Sequence, residues 1–189
     1  MSKPKIPSGR SGPKMDHIES VFRLMQVELY SSKARSYFDR RFGWVQIRLH
    51  YLLVLGSCRQ PYRRAGSDEK QIKEKIEKSA KILNDEIAKA KDKLKGGGIS
   101  SSLVKNSLTR TMDVKVFTAC ANRFLDLLIQ YDLMVSYLNI MLSHKLISQE
   151  EMEWEERQAK SAIQGVDYFI LALYDEVVAL NQRKNTAAL

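Results

Sequence analysis

Apolar and polar positions alternate over residues 21–29. A period of two is typical of a strand with one buried face, and the run is rich in strand formers. The pattern predicts one short strand whose core-facing side chains are Met25, Val27 and Leu29 and whose opposite face carries Leu24, Gln26 and Glu28. Leu, Met, Gln and Glu are also good helix formers, so the alternative is the first helix of an all-helical bundle.

Two short helices are predicted after this strand. Ser31 or Ser32 can cap a helix that extends to about residue 42, since apolar residues recur there at intervals of three and four. Gly43 is predicted to end this helix. Residues 44–55 are apolar on nearly all sides, which for a short helix indicates burial in a core or an interface.

The rest of the chain is predicted to be mostly helical. Residues 56–67 combine Gly, Pro and Ser with Arg and predict a linker, so we expect a domain boundary there. A helix with an apolar seam follows over 68–95 and ends at a Gly triplet. Residues 99–116 allow either a loop or a short strand. Helices over 118–144 and 149–183 are predicted to pair as an antiparallel hairpin.

These elements predict a mainly α protein with three regions: a disordered basic arm (1–14), a ribbon-helix-helix module (15–64) and a helical extension (65–189). The arm is rich in Pro and Gly and has too few apolar residues to order itself. Strand, short helix, Gly turn and second helix follow each other in the order of ribbon-helix-helix DNA-binding proteins. A lone strand has no partner, so we expect a homodimer in which two chains pair their strands antiparallel.

Charge supports a polyanionic partner. The 189 residues carry a net charge of +9, and all of it lies in residues 1–64, where 13 Lys and Arg oppose 4 acidic residues. A basic segment joined to a neutral remainder is typical of nucleic-acid binding. An acidic membrane surface would instead favour a helix with Lys and Arg on one face. Neither an apolar run of about 18 residues nor a secretory signal is found, which predicts a cytoplasmic protein without a membrane partner.

Enzymatic chemistry finds no support in the sequence. The spacings of nucleotide-binding loops, zinc proteases, serine hydrolases and EF-hands are absent. Cys58 and Cys120 are isolated, and His17, His50 and His144 are far apart, so these residues are interpreted as buried thiols and as packing or surface histidines. We therefore predict no catalytic residue, metal, cofactor or small-molecule substrate.

The alternation defines a DNA-reading face. Gln26 can form two hydrogen bonds with adenine, and Glu28 can accept one from cytosine. The backbone N–H groups of Gly43 and Trp44, at the start of the second helix, are predicted to bind a phosphate. The predicted DNA-binding residues are Arg23, Leu24, Gln26, Glu28, Lys33, Arg40, Arg41, Gly43, Trp44 and Arg48, with Lys3, Lys5, Arg10 and Lys14 in the arm.

Two segments resemble a known family. Residues 27–38 (VELYSSKARSYF) and 121–132 (ANRFLDLLIQYD), together with 144–148 (HKLIS), are similar to the AcaB family of conjugative plasmids and integrating conjugative elements. The resemblance implies a ribbon-helix-helix transcriptional activator of conjugative transfer genes, with a helical extension after the DNA-binding module. It assigns no base contact to any residue.

A second class of function stays open. A non-enzymatic helical adaptor of a transfer system would bind other proteins through the hairpin over 118–183, whose apolar faces require burial. An RNA-binding protein is a weaker hypothesis, because no aromatic stacking platform is present. The basic N-terminal third favours double-stranded DNA.

Overall fold

The structure is a computed structural model that describes residues 21–55, 65–100 and 109–187. Helices make up most of it, as the sequence predicted. In chain order the elements are β1 (Arg23–Leu29), α1 (Ser32–Tyr37), a π-helical turn (Phe38–Phe42), α2 (Gly43–His50), a second π-helical turn (Tyr51–Leu55), α3 (Ala65–Gly96), β2 (Arg110–Val116), α4 (Ala119–Ser143) and α5 (Gln149–Ala187).

The predicted strand is present as β1, but its partner lies in the same chain. β1 pairs antiparallel with β2, so that Arg23 lies opposite Val116 and Leu29 lies opposite Arg110. The expectation that β1 needs a second chain for a partner was therefore wrong. β2 lies in the region that the sequence left open between loop and strand.

Gly43 does not end a helix, which corrects a second expectation. Its φ of −57° and ψ of −42° are helical, and residues 32–55 form one uninterrupted helical segment with two π-helical turns. A glycine inside a helix costs about 1 kcal/mol. Phe42 and Val45 on either side are buried, and each such burial contributes about 1.5–3 kcal/mol, so packing outweighs the propensity of the glycine.

α4 is the central helix and packs against α3, α5 and the segment 32–55. α3 runs parallel to α4, because Arg123 of α4 pairs with Glu77 and Tyr137 lies beneath Lys91, the same number of residues further along both helices. α5 packs on α4 after a short connection, which confirms the predicted hairpin.

Helix ends and seams follow the sequence closely. The Ser31 hydroxyl accepts a hydrogen bond from the Ala34 amide at 3.1 Å and caps α1. Ser148 and Glu151 form the predicted reciprocal box at the start of α5, with distances of 3.1 and 2.7 Å. The predicted seam of α3 is buried along its length, and it consists of Ile72, Ile76, Leu83, Ile87 and Leu94.

One hydrophobic core joins the predicted module to the predicted extension. Val27 and Leu29 of β1 belong to it, as does Leu52, and the ring of Phe42 stacks on Phe124 of α4 with 6.5 Å between ring centroids. The apolar second helix thus packs largely within its own chain, where Val45, Leu49 and Leu52 are buried, whereas Val54 and Leu55 at its end are exposed. Of the predicted linker 56–67, residues 65–67 belong to α3 and residues 56–64 lie outside the described residues. The elements on either side of residues 56–64 share one core.

Candidate nucleic-acid interface

The two strands form a ribbon with one buried and one exposed face. Val27 and Leu29 are buried and Met25 is half-buried, whereas Leu24, Gln26 and Glu28 are exposed, which confirms the predicted alternation. β2 has the same burial pattern. Residues opposite each other share a face, so the outer face of the ribbon is made of Leu24, Gln26, Glu28, Thr111, Asp113 and Lys115.

This outer face carries little positive charge. Glu28 and Asp113 oppose the single cation Lys115, and the Tyr30 hydroxyl donates to Glu28 at 3.0 Å. Hydrogen bonding with Glu28 and burial together raise the pKa of Tyr30, burial being the larger cause. The sequence reasoning missed the three β2 residues of this face, because pairing between distant segments leaves no local signal.

Cations lie at the two ends of the ribbon. At one end, Arg23 is exposed, and the Lys115 ammonium lies 4.9 Å from the ring centroid of Phe22. At the other end, Arg110 pairs with Asp39 at 3.4 Å.

Two of the predicted contact residues lie on the surface of the helices instead. Arg40 is exposed and donates from Nε to the Ser36 carbonyl at 2.9 Å. The Lys33 ammonium pairs with Glu156 of α5.

The predicted phosphate site at Gly43 and Trp44 is absent. The helix continues through both residues, so their N–H groups do not form a helix start. Arg41 and Arg48 point to the buried Asp167 instead, with N–O distances of 2.7 and 3.4 Å. These two arginines connect α5 to the segment 32–55.

Asp167 holds a partly buried polar cluster. The Tyr37 hydroxyl also donates to it, at 3.3 Å, and burial strongly raises the pKa of this tyrosine. The hydrogen bond with Asp167 raises the pKa of Arg41, whereas burial lowers that of Arg48. A carboxylate that is 1% exposed is thus stabilised by three donors.

Asp132 of α4 fixes the point where β1 joins α1. It is 1% exposed and accepts from the backbone amides of Tyr30 and Ser31 at 2.7 and 2.6 Å. Charge-assisted bonds of this kind are about twice as strong as neutral ones. Tyr30 and Ser31 lie in one of the two segments that carry the family resemblance, and Asp132 lies in the other. Asp132 is one of two aspartates within the apolar stretch 124–141, and the sequence reasoning did not use this signal.

Gln46 of α2 fixes the end of β2 in the same way. Its side chain is 2% exposed, donates to the Lys115 carbonyl at 3.0 Å and accepts from the Phe117 amide at 3.3 Å. One buried polar side chain from the helices thus holds each strand of the ribbon.

Other chemistry is not apparent in the described part of the chain. Burial lowers the pKa of His50, Cys120 is a buried free thiol, and no cluster of three metal-ligating side chains occurs within residues 21–55, 65–100 and 109–187.

One helix of the described residues, α4, is long and apolar enough to cross a membrane when only length and composition are considered. Of its most apolar stretch, 67% is buried in the protein. The arm residues Lys3, Lys5, Arg10 and Lys14, with Cys58 and His17, lie outside the described residues.

Comparison with known proteins gives one similar solved structure. No protein-family model and no curated protein sequence matches the chain. The crystal structure of selenomethionine-containing AcaB from uropathogenic E. coli superposes with a TM-score of 0.77, covers 88% of this chain and 86% of its own, and shares 12% sequence identity. The superposition confirms at the level of the fold what the two sequence segments indicated. The chain has an AcaB-like fold.

Proposed function

We propose that this protein is a non-enzymatic, sequence-specific regulator that binds double-stranded promoter DNA as a homodimer in the cytoplasm. The observation that carries the proposal is an exposed, polar ribbon face mounted on a rigid helical body. The family resemblance gives its regulatory role, which is activation of conjugative transfer genes. No cofactor, membrane or small-molecule substrate enters this function.

The ribbon of a single chain suits the major groove. That groove is about 12 Å wide and admits a two-stranded ribbon. Neighbouring strands lie about 4.8 Å apart, so a four-stranded sheet formed from two chains would span about 14 Å between its outer strands, before side chains are counted. Each chain therefore reads one half-site with its own β1 and β2, and the dimer positions two ribbons about one turn of DNA apart.

Rigid support of the ribbon favours a reading role. Base recognition requires side chains to be held within a fraction of an ångström. Asp132 and Gln46 attach the two strands to the helices by four hydrogen bonds. Among the residues of the outer face, Gln26 is best suited to recognise a base, since its side-chain amide can both donate and accept hydrogen bonds.

The charge distribution separates affinity from specificity. The outer face of the ribbon carries two carboxylates and one ammonium, so its own field repels phosphate slightly. Most of the attraction then comes from cations at the ribbon ends and from the arm over residues 1–14. We expect specificity from the face and most of the salt dependence from these flanking cations.

Selection of bound duplexes from a random pool tests the proposal. The expected result is a repeated half-site with one-turn spacing, and an affinity that falls linearly with the logarithm of salt concentration. A selected pool without any enriched sequence, together with no salt dependence, would contradict DNA recognition.

A helical adaptor is the second candidate, and one surface favours it. α3 and α5 flank an open groove of about 540 Å³, with Trp154 and Ile82 exposed at its walls by 54% and 52%. Exposed large apolar side chains along a groove are typical of partner-binding surfaces. If a Trp154→Ala variant no longer bound partner proteins but still bound DNA, this groove would be a protein-binding site that is separate from the DNA-binding site.

A further inference from the structure

A cleft at one end of the ribbon joins two arginines to an apolar wall. It lies between the start of β1 and the first turn of α4 and has a volume of about 420 Å³. Arg23 and Arg123 line it from these two elements, and the rings of Phe22 and Phe117 line it between them. We call this space the ribbon-end cleft.

We propose that the ribbon-end cleft binds the sugar-phosphate backbone of the DNA next to the bases that the ribbon reads. This inference rests on the proposed function and adds a contact residue, Arg123, that the sequence reasoning did not consider. Two guanidinium groups provide directed donors for phosphate oxygens. The apolar wall provides a surface for the deoxyribose, which a free phosphate ion would leave unused.

The aromatic wall is accessible from outside the protein. Phe22 is 45% exposed, and its ring meets that of Phe117 edge-to-face with 6.2 Å between centroids. The Lys115 ammonium over Phe22 adds a third cation beside the cleft. Because Lys115 also belongs to the outer face of the ribbon, the cleft and the reading face are continuous.

Both arginines are available to an anion. Arg23 is exposed and has no ion-pair partner among the described residues. Arg123 pairs with Glu77 at 2.5 Å, but both side chains are about half exposed, at 45% and 63%. An exposed pair of this kind contributes little to stability, so a phosphate can replace Glu77 as the partner of Arg123.

The neighbouring acids do not cancel this charge. Glu69 is engaged by Lys73 at 2.6 Å, and Asp126, one turn beyond Asn122, accepts from the Asn122 amide at 3.4 Å. Burial raises the pKa of the Asp126 carboxyl group. Glu77 is therefore the acid that competes most directly with a phosphate for Arg123.

Salt titrations of duplex binding test the cleft with matched variants. Arg23→Gln and Arg123→Gln should each weaken binding about three- to tenfold and lower the salt slope by about 1 per half-site. The loss should be equal on the selected duplex and on a mixed-sequence duplex, because a phosphate contact carries no sequence information. Lys89→Gln, which removes the exposed cation of the ion pair with Glu86 beside Met134 and Leu138, is the control and should bind as the wild type does.

Glu77→Gln should change the affinity for duplex DNA in the opposite direction. Freeing Arg123 should tighten binding about two- to threefold, and this gain should vanish in an Arg123→Gln background. A gain that persists without Arg123 would mean that Glu77 acts only through general repulsion, and the cleft would lose its assigned contact.

The remaining outcomes separate the two proposals. Wild-type salt slopes in both arginine variants, with duplex binding intact, would overturn the cleft and leave the proposed function standing. Absence of duplex binding by the wild-type protein would overturn the proposed function first. Arginine-dependent binding of inorganic phosphate or deoxyadenosine monophosphate, without any effect on duplex binding, would make the cleft a small-anion site and overturn its assignment to DNA.

Discussion

Gln26 and Val27 are neighbours in the chain with opposite surroundings. The first is exposed on the outer face of the ribbon, and the second is buried against the helices. Their different surroundings follow from the two-residue period of a strand, which the sequence alone predicted for residues 21–29.

The first prediction compares the two residues. Gln26→Ala should cost about 1–3 kcal/mol of specific binding at one position per half-site and leave thermal stability unchanged. Val27→Ala should lower stability by about 2 kcal/mol, because it removes buried methyl groups, and should keep the sequence preference. Melting temperatures and affinities measured on both variants check this. Specificity lost in Val27→Ala and stability lost in Gln26→Ala would reverse the two faces.

The second prediction concerns Asp132, which the sequence reasoning overlooked. Asp132→Asn keeps the shape but removes the charge that accepts the two amides at the start of α1, so unfolding should become easier by about 2 kcal/mol. Asp126→Asn, on the exposed side of the same helix, is the control and should change stability by less than about 0.5 kcal/mol. Urea denaturation measures both. Equal stability of the two variants would show that the Asp132 bonds contribute nothing net.

At the scale of elements, features that depend on residues close in sequence are predictable, whereas pairing between distant segments is not. The strand alternation, the Ser31 cap and the seam of α3 depend on residues close in sequence, and the structure confirms all three. The sequence left residues 99–116 open between loop and strand, because the pairing of β2 with β1 joins residues 81 to 93 positions apart and leaves no local signal. The helix continues through Gly43 because its buried neighbours outweigh its low helix propensity.

The third prediction tests whether the ribbon forms within one chain. Leu24 and Lys115 lie opposite each other on its exposed face, at the short Cα separation that a disulfide can span. In a Leu24→Cys, Lys115→Cys protein with Cys58→Ser, mild oxidation should give a monomeric cross-linked product by non-reducing electrophoresis and mass spectrometry. The same pair of cysteines linking two chains would show that β1 exchanges partners in the dimer.

At the scale of the whole molecule, the Asp167 cluster connects α5 to the segment 32–55. Removing this carboxylate leaves Arg41 and Arg48 partly buried without their shared partner. Contacts of Asp167 thereby join α5 to the segment 32–55 across the predicted boundary, so we expect the two to unfold together.

The fourth prediction is that Asp167→Asn lowers the stability of the entire protein. The expected loss is about 3 kcal/mol, at the lower limit for a broken buried pair because Arg41 is a third exposed. Glu86→Gln, which breaks the exposed pair with Lys89, should cost less than about 1 kcal/mol. Chemical denaturation followed by both helical signal and tryptophan fluorescence checks this. An unchanged midpoint in Asp167→Asn would contradict it.

The pairing of β1 with β2 has a consequence for how the protein is made. Arg23 pairs with Val116, which is 93 residues later in the chain, so the ribbon cannot form until Val116 has been synthesised. Contacts between residues this far apart in sequence form slowly. While the ribosome extends the chain, β1 has an unpaired edge and its apolar face lacks α4. We expect a fragment ending at residue 64 to remain unfolded by circular dichroism. A chain that ends prematurely before β2 would then have no folded ribbon and would not compete for DNA. The ribbon could be transferred to another protein only together with the helices on which it packs.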